Sequence, residues 1–379
     1  VMVMGVANPR IHDLMQKFPD IKELYFAMQD PDNGFLKEKE YQKVKETPLS
    51  RANQIAEYCA GKNFSILTWN SPDYPVHLRM IYNPPVILFY KGSVEVLRRS
   101  EILTVVGTRN PSEYSIYVGE CLCYEIAQQN IIIASGGAMG LDSVAHYAAI
   151  RAGKPTIAVM GCGIDCDYPK GNRELREKIL EEGILITEYF PGTPAYGRNF
   201  PIRNRILAGI GKGVFLLEAS EKSGAMITAN SACEQGRTVF CVPPADIFQK
   251  RYAGQASLLR DGATPVFCLE DILTIRDEQI YDLPEISNSE NSENSGNSEI
   301  SVSECNPAES ENSWMPKDAT LQQQKILAVL KDGGKHTNML CQLTGLHFDD
   351  ISANLLEMEL FGWIVCDNVD HFVLSPDLQ

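Results

Sequence analysis

Five short segments combine glycine, hydroxyl and cationic residues in a pattern suited to binding phosphate. Gly107-Thr108-Arg109-Asn110 offers a backbone that a ligand can approach, a hydroxyl, and a guanidinium suited to bidentate phosphate contact. Ser135-Gly136-Gly137-Ala138-Met139-Gly140, followed by Leu141-Asp142, sets three glycines between an apolar run and a helical pattern. Backbone N–H groups in such a loop face an anion at the positive end of a helix. The spacing is G-G-x-x-G, which is neither the G-x-G-x-x-G dinucleotide fingerprint nor a P-loop, since no G-K-[ST] follows. Gly163-Ile164-Asp165-Cys166-Asp167-Tyr168-Pro169-Lys170-Gly171-Asn172 brings Lys170, Asn172 and the following Arg173 to a helix start, with Arg176 on roughly the same face. In Arg198-Asn199-Phe200-Pro201-Ile202-Arg203-Asn204-Arg205, Arg203 and Arg205 flank Asn204 where a helix opens. Cations there oppose the macrodipole, and a counter-anion is the simplest compensation. Ser223-Gly224-Ala225-Met226-Ile227-Thr228 again joins a strand pattern to a helix pattern through small, hydroxyl-bearing residues. Each segment also has a plainer explanation: a surface arginine paired with a carboxylate, a tight turn, or a capped helix with solvated charges.

Other chemistries lack their residues. No nucleophile elbow, Ser/His/Asp set or metal-ligand cluster stands out, and none of the six histidines has zinc-protease spacing. Asp142 and Glu218 are acid/base candidates by position alone, and Asp142 equally suits a helix cap. No cofactor or metal is expected. The 11 cysteines form no repeating framework, and Cys162 and Cys166 bracket a loop without further ligands. Cys121, Cys233, Cys241 and Cys268 fall in apolar patterns, which predicts buried, reduced thiols.

The elements that must position these loops are visible as an alternating pattern. Apolar, strand-like runs occupy 102–107, 131–135, 156–161, 184–189, 213–219 and 238–243. Helical patterns lie between them at 114–129, 142–152, 172–182, 201–209 and 225–236. Nearly continuous apolar strands separated by helices predict a parallel sheet covered on both faces, a doubly wound Rossmann-like α/β fold. Ligands on such sheets bind outside the carboxyl ends of the strands, where all five segments fall.

Residues 10–60 read as several short helices, giving an N-terminal helical domain over 1–62 ahead of a core over 63–280. Residues 281–315 are dominated by Ser, Asn and Glu, and predict a disordered acidic linker. Residues 316–379 carry helical patterns at 320–331, 337–343 and 349–361, then a hairpin turning near Asp367–Asp370, which is a winged-helix arrangement. Its third helix holds Asp349, Asp350, Glu357 and Glu359 and no Lys or Arg, so it would repel DNA. The tail is expected to dock a protein or to serve as a structural module.

The formal net charge of −15 argues at first against an anionic partner. Residues 281–315, however, hold eight acidic residues and no Lys or Arg, and 316–379 hold nine acidic against four basic. The first 280 residues are therefore near neutral, and a local basic groove is compatible with the composition. No apolar run approaches a membrane span and no basic-then-apolar leader opens the chain, so a soluble, cytoplasmic protein is expected. The first residue, Val1, suggests a start after the natural initiator.

In this order, the segments GTRNPSEYS, SGGAMGLDSVAH, GCGIDCDYPKGNREL, FPIRNRILAG, SGAMITA and GRTVFCVPP resemble the DNA processing protein A (DprA/Smf) family, as does the lead-in YPVHLRMIYNPPVILFYKG. The resemblance spans 101–268. It implies an extended Rossmann-like core, an N-terminal helical domain (SAM or helix-hairpin-helix-like) and a C-terminal winged helix. It also implies binding of single-stranded DNA, a homodimer through the core, and loading of RecA in natural transformation, without catalysis. DNA-contact candidates are then Gly107, Thr108, Arg109, Ser135, Gly136, Gly137, Ala138, Gly140, Lys170, Asn172, Arg173, Arg203, Asn204, Arg205, Ser223, Gly224 and Thr228, with Phe200 and Tyr168 as base-stacking candidates. The chain departs from the family at Val242-Pro243-Pro244 and at Gly254-Gln255-Ala256-Ser257, where an Asn is expected. Two other readings compete: a nucleotide-handling enzyme of the phosphoribohydrolase type, whose P-G-G-x-G-T-x-x-E motif is absent here, and a nucleotide-sensing scaffold.

Overall fold

In the computed structural model, the described residues are 1–18, 20–30, 34–276, 316, 319–331, 333–344, 346, 348–368 and 371–375. The chain divides into two units, Val1–Pro284 and Glu285–Gln379. The acidic segment expected to be a disordered linker lies outside the described residues.

The first unit opens with helices α1 (Arg10–Lys17), α2 (Ile21–Ala27), α3 (Glu38–Glu46) and α4 (Leu49–Gly61). Strand β1 (Ser65–Thr68), the single turn α5 (Val76–Arg79) and strand β2 (Ile87–Gly92) lead into the core. There β3 (Ile102–Val106), α6 (Glu113–Gln128), β4 (Ile132–Ser135), α7 (Leu141–Arg151), β5 (Thr156–Val159), α8 (Arg173–Glu182) and β6 (Ile184–Thr187) alternate. They are followed by α9 (Asn199–Ile210), β7 (Gly213–Leu216), α10 (Gly224–Glu234), β8 (Thr238–Cys241), α11 (Ala253–Arg260), β9 (Thr264–Pro265) and α12 (Leu269–Leu273). All six strands and all five helices read from the sequence between 102 and 243 are present. Short β1 and β9 and helix α11 carry too little periodicity to be recognised from sequence.

These strands form one nine-stranded sheet in the order β1-β2-β6-β5-β4-β3-β7-β8-β9. Strands β3 to β9 are mutually parallel, and β1 and β2 add an antiparallel edge beside β6. Every residue of β3 to β7 is buried, as expected for strands covered on both faces. On one face, Leu103, Val105, Ile133 and Phe215 pack with Ile126 of α6 and Ala145 and Ala149 of α7. On the other, Ile157, Val159 and Ile184 pack with Ile206, Leu207 and Ile210 of α9. Sequence order reverses at β3, which has β4 on one side and β7 on the other, so the crevice at the β3/β7 carboxyl ends is the topological switch point.

The second unit contains α13 (Leu321–Leu330), β10 (Lys335–His336), α14 (Thr337–Thr344), α15 (Phe348–Leu360), β11 (Ile364–Asn368) and β12 (His371–Leu374). The three strands pair in the order β10-β12-β11. Ile326, Leu330, Leu340, Ile351, Leu355, Met358 and Ile364 form its core. This is a winged helix, and its two-residue strand β10 is too short to show in the sequence. On α15, Asp350, Leu356, Glu357 and Glu359 face solvent.

The cysteine expectation needs correction. Cys241 is buried, but Cys121 is half-buried and Cys233 and Cys268 are exposed. Cys233 falls on the solvent side of the last turn of α10, and Cys268 is the N-cap of α12 rather than part of a strand.

Candidate nucleic-acid interface

At the switch point a cavity of about 440 Å³ opens between the loops after β3 and β7 and the first turns of α7, α9 and α10. Thr108, Arg109, Asp142, Phe200, Arg203 and Gly224 are among its walls. A smaller recess of about 40 Å³, also walled by Arg109 and Phe200, reaches Met139 and Tyr168. The structure thus brings the loops beginning at Gly107, Gly136, Tyr168, Phe200 and Ser223 to one edge of the sheet.

Close backbone packing shapes this edge. A Cβ on Gly107 would meet Leu141 Cδ1 at 2.4 Å. Gly140 has φ +85°, and a Cβ there would meet Thr108 O at 2.5 Å. The glycines let the β3 loop lie against the start of α7, where Leu141 N–H donates to Thr108 O at 3.2 Å. Glu218 anchors the other side. Its buried carboxylate accepts the Ser112 N–H at 2.9 Å, the Ser112 hydroxyl at 2.6 Å and Arg251 Nε at 2.9 Å. Although burial opposes ionisation, these donors hold Glu218 below the ordinary carboxylate range. Its position suggested an acid/base group; its contacts make it a brace for the loop carrying Arg109.

Arg203 is only 4% exposed. Its Nη1 donates to Gly136 O at 3.0 Å and also to Val159 O. It therefore ties α9 to the loops after β4 and β5. Asp142, 7% exposed, accepts the Ala138 N–H at 3.3 Å. It is not the cap of α7, whose N-cap is Gly140 without a side-chain bond. Burial pushes the Asp142 carboxyl above its ordinary range, and the Arg203 charge opposes that shift. A Cβ on Gly136 would come within 2.7 Å of both Arg203 Nη1 and Asp142 Oδ2, so a larger residue there would make these side chains shift.

Several other sequence candidates are likewise engaged inside the fold. Asn172 is buried and donates Nδ2 to Gly137 O, Ala138 O and Ser143 Oγ at 3.1, 3.0 and 2.9 Å. It props the glycine loop from below. Ser135 is buried and donates its hydroxyl to Val105 O at 2.7 Å. Asn204 donates Nδ2 to Gly224 O at 3.2 Å. Arg205 forms a part-buried ion pair with Glu188 and donates to Asn83 O at 2.6 Å, and it is not among the residues walling either cavity. Arg173 and Arg176 both pair with Asp167. Arg205 and Arg173, both expected among the phosphate contacts, each already hold a carboxylate. Thr228 is buried and walls the larger cavity, as do Ser223 and Gly224.

What remains open to solvent is a smaller set. Arg109 and Lys170 are exposed, and among the described residues neither makes an ion pair. The Arg109 guanidinium lies 5.8 Å from the centre of the Phe200 ring. Phe200 and Tyr168, the stacking candidates, pack on each other with ring centres 5.4 Å apart. Exposed Tyr196 and Arg198 form a further cation–π pair at 5.3 Å, unrecognised in the sequence. Gln255, in the segment that departs from the family pattern, is fully buried and donates to Leu217 O at 3.0 Å and Val242 O at 2.8 Å. It braces the ends of β7 and β8. Nothing local in the sequence signals these partners of Gln255, which lie 38 and 13 residues away.

Comparison with known proteins agrees with this architecture. Residues 65–277 match the family model of DNA recombination-mediator protein A, and 312–367 match the DprA winged helix domain. DNA processing protein DprA of Bacillus subtilis is 39% identical over 203 residues, covering 54% of this chain and 68% of that protein. Protein Smf of Synechocystis is 31% identical over 322 residues, covering 82% and 80% respectively. The crystal structure of DNA processing protein A from Streptococcus pneumoniae superposes with a TM-score of 0.63 at 30% identity, covering 72% of this chain and 94% of that one. A Helicobacter pylori DNA processing protein A, described for its single-stranded DNA binding mode, superposes at 0.51 with 27% identity, covering 56% of this chain and 96% of that one. Matched along its core, its winged helix and most of its length, the chain belongs to the DprA/Smf family of DNA processing proteins.

Proposed function

We propose that this protein binds single-stranded DNA along the loop edge of its Rossmann-like core, without catalysis, protects incoming strands and loads RecA onto them in natural transformation. The observation that carries this reading is the exposed Arg109 guanidinium above Phe200, at the mouth of a cavity edged by glycine loops. Arg109 and Lys170 supply exposed cations, the loops at Gly107 and Gly224 supply backbone amides, and Phe200 and Tyr168 supply aromatic surface. Such contacts track a strand while specifying little sequence. The Helicobacter pylori relative supports the ligand class.

The homodimer belongs to the same proposal. Ile247, Phe248 and Phe267 are 70%, 90% and 76% exposed at the carboxyl ends of β8 and β9. Apolar side chains grouped in this way suit a second copy of the chain. Among the described residues, no helix is long and apolar enough to cross a membrane. A cytoplasmic setting, a RecA partner and a protein-docking tail complete the reading.

The test is a salt titration of a fluorescent poly-dT oligonucleotide with the full chain, beside the Arg109→Ala/Lys170→Ala double variant and with duplex DNA as competitor. Salt-sensitive binding, selective for single strands and lost in the double variant, supports the proposal. Binding indifferent to both substitutions refutes the loop-edge site.

A further inference from the structure

The loop after β5 carries two thiols that the DNA-binding reading does not use. Cys162 is fully buried, and Cys166 is half-buried at the solvent edge. Both meet in one apolar cluster: Cys162 belongs to it with Leu175, Ile179 and Leu185, and Cys166 packs against it. A tight turn separates them, in which the Cys166 N–H donates to Gly163 O at 2.9 Å. The backbone around this turn is held from several sides. The Thr187 hydroxyl donates to Cys162 O at 2.8 Å, and the Gly163 N–H donates to Thr193 O at 2.9 Å. The Asp165 carboxylate accepts the Tyr58 hydroxyl at 3.0 Å and the Gly192 N–H at 2.8 Å. The turn cannot open and part the two side chains without breaking these bonds. The thiols also act on each other: burial first, and then the neighbouring Cys166, push the Cys162 thiol up to about 12. Cys162 therefore keeps its proton, and Cys166 is the thiol that a reagent from solvent meets.

We propose that Cys162 and Cys166 form a reversible thiol–disulfide couple, closed by a small disulfide of the oxidised-glutathione type. The couple stands on the packing of the turn and does not depend on DNA binding. Tyr168 and Lys170 follow the turn directly in the chain, so closure fixes the segment from which both project.

In the first exchange, Cys166 Sγ gives up its proton and attacks one sulfur of oxidised glutathione. A bond forms between Cys166 Sγ and that sulfur, the glutathione S–S bond breaks, and the released thiolate takes up the proton. In the second, Cys162 Sγ gives up its proton and attacks Cys166 Sγ. The mixed disulfide breaks, and the second glutathione leaves as a thiolate that takes up this proton. Two cysteine thiols are oxidised to one disulfide, and one glutathione disulfide is reduced to two thiols. Holding the two sulfurs side by side makes the second exchange intramolecular and favours it over a lasting mixed disulfide.

The experiment treats the folded full chain with oxidised glutathione, blocks the remaining thiols with iodoacetamide in denaturant, and measures the mass of the tryptic peptide 152–170. That peptide contains Cys162 and Cys166 and no other cysteine. The expected product has lost two hydrogens, carries neither label nor glutathione, and returns to the dithiol with dithiothreitol. Cys162→Ala is expected to stop with glutathione on Cys166, and Cys166→Ala to leave Cys162 unmodified. Exposed Cys233 reports that the reagent acted. Glutathione left on Cys166 of the wild type without closure overturns the proposal. So does an unmodified peptide in protein whose Cys233 has taken up glutathione. A cross-link from either thiol to Cys59, which lies in the same apolar cluster, overturns it as well.

Discussion

Arg203 Nη1 donates to the carbonyl of Gly136 across 3.0 Å, joining the helix that opens with Asn199 to the glycine loop after β4. The two residues are 67 positions apart in sequence. The bond uses an arginine where the sequence pattern suggested a free cation, and spends its charge on the shape of the site.

Removing that guanidinium should therefore destabilise the core before it affects DNA. Arg203→Ala leaves Gly136 O without this donor and Asp142 without its nearby positive charge. The expected loss is about 2–4 kcal/mol, measured by urea unfolding. Arg203→Lys should recover little, because an ammonium cannot reproduce the planar fork. A variant as stable as the wild type would contradict this role.

Exposed and buried cations should separate in their salt response. Four phosphate contacts from Arg109, Lys170, Arg203 and Arg205 would give a log–log slope near −3 for single strands, whereas counting only Arg109 and Lys170, because Arg205 is paired with Glu188 and Arg203 is buried, lowers it to about −1.4. Arg109→Ala should flatten the slope by about 0.7 and weaken all sequences alike. Arg205→Ala should leave the slope unchanged and lower the urea midpoint instead.

Two buried carboxyls should respond to pH with opposite signs. Asp142 has its pKa raised from 3.8, chiefly by burial, so its contribution to stability falls as pH rises through its ordinary value toward its raised one. Asp142→Asn should remove that decline, and the variant should gain on the wild type from about pH 4 upward. Glu218 is held below 4.5: burial opposes ionisation, but the bonds from Ser112 and Arg251 outweigh it. Its contribution is complete above 4.5 and is lost as pH falls through its lowered value, so the advantage of wild type over Glu218→Gln should shrink in acid. Unfolding curves at several pH values check both signs.

Gly140 combines a φ of +85° with a Cβ position 2.5 Å from Thr108 O. Gly140→Ala should cost about 1–3 kcal/mol and displace the loop that presents Arg109. Its DNA affinity, measured under conditions where the variant is fully folded, should fall together with that of Arg109→Ala. Undiminished affinity would mean that the loop adapts without strain.

The sequence by itself determined the architecture and the address of the site. Continuous apolar runs such as Ile102–Val106 and Ile184–Thr187 have no polar face to give to solvent, so they require a sheet covered on both sides, and helices between them make it parallel. That topology places the loops after Val106, Ser135, Val159 and Leu216 at one edge whatever their side chains do. The three-helix and hairpin pattern of the tail was legible for the same reason: periodicity records which face is buried.

Only the tertiary structure decided which cations at that edge are available. Arg109, Arg173, Arg203 and Arg205 are chemically identical in a sequence. Three of them meet Asp167, the carbonyls of Gly136 and Val159, or Glu188, while Arg109 meets solvent and the Phe200 ring. Desolvation and pairing depend on neighbours brought close by folding, and local residue pattern carries no record of them. The same holds for Asn172 and Glu218, which look like binding or catalytic groups until their partners across the sheet edge are seen.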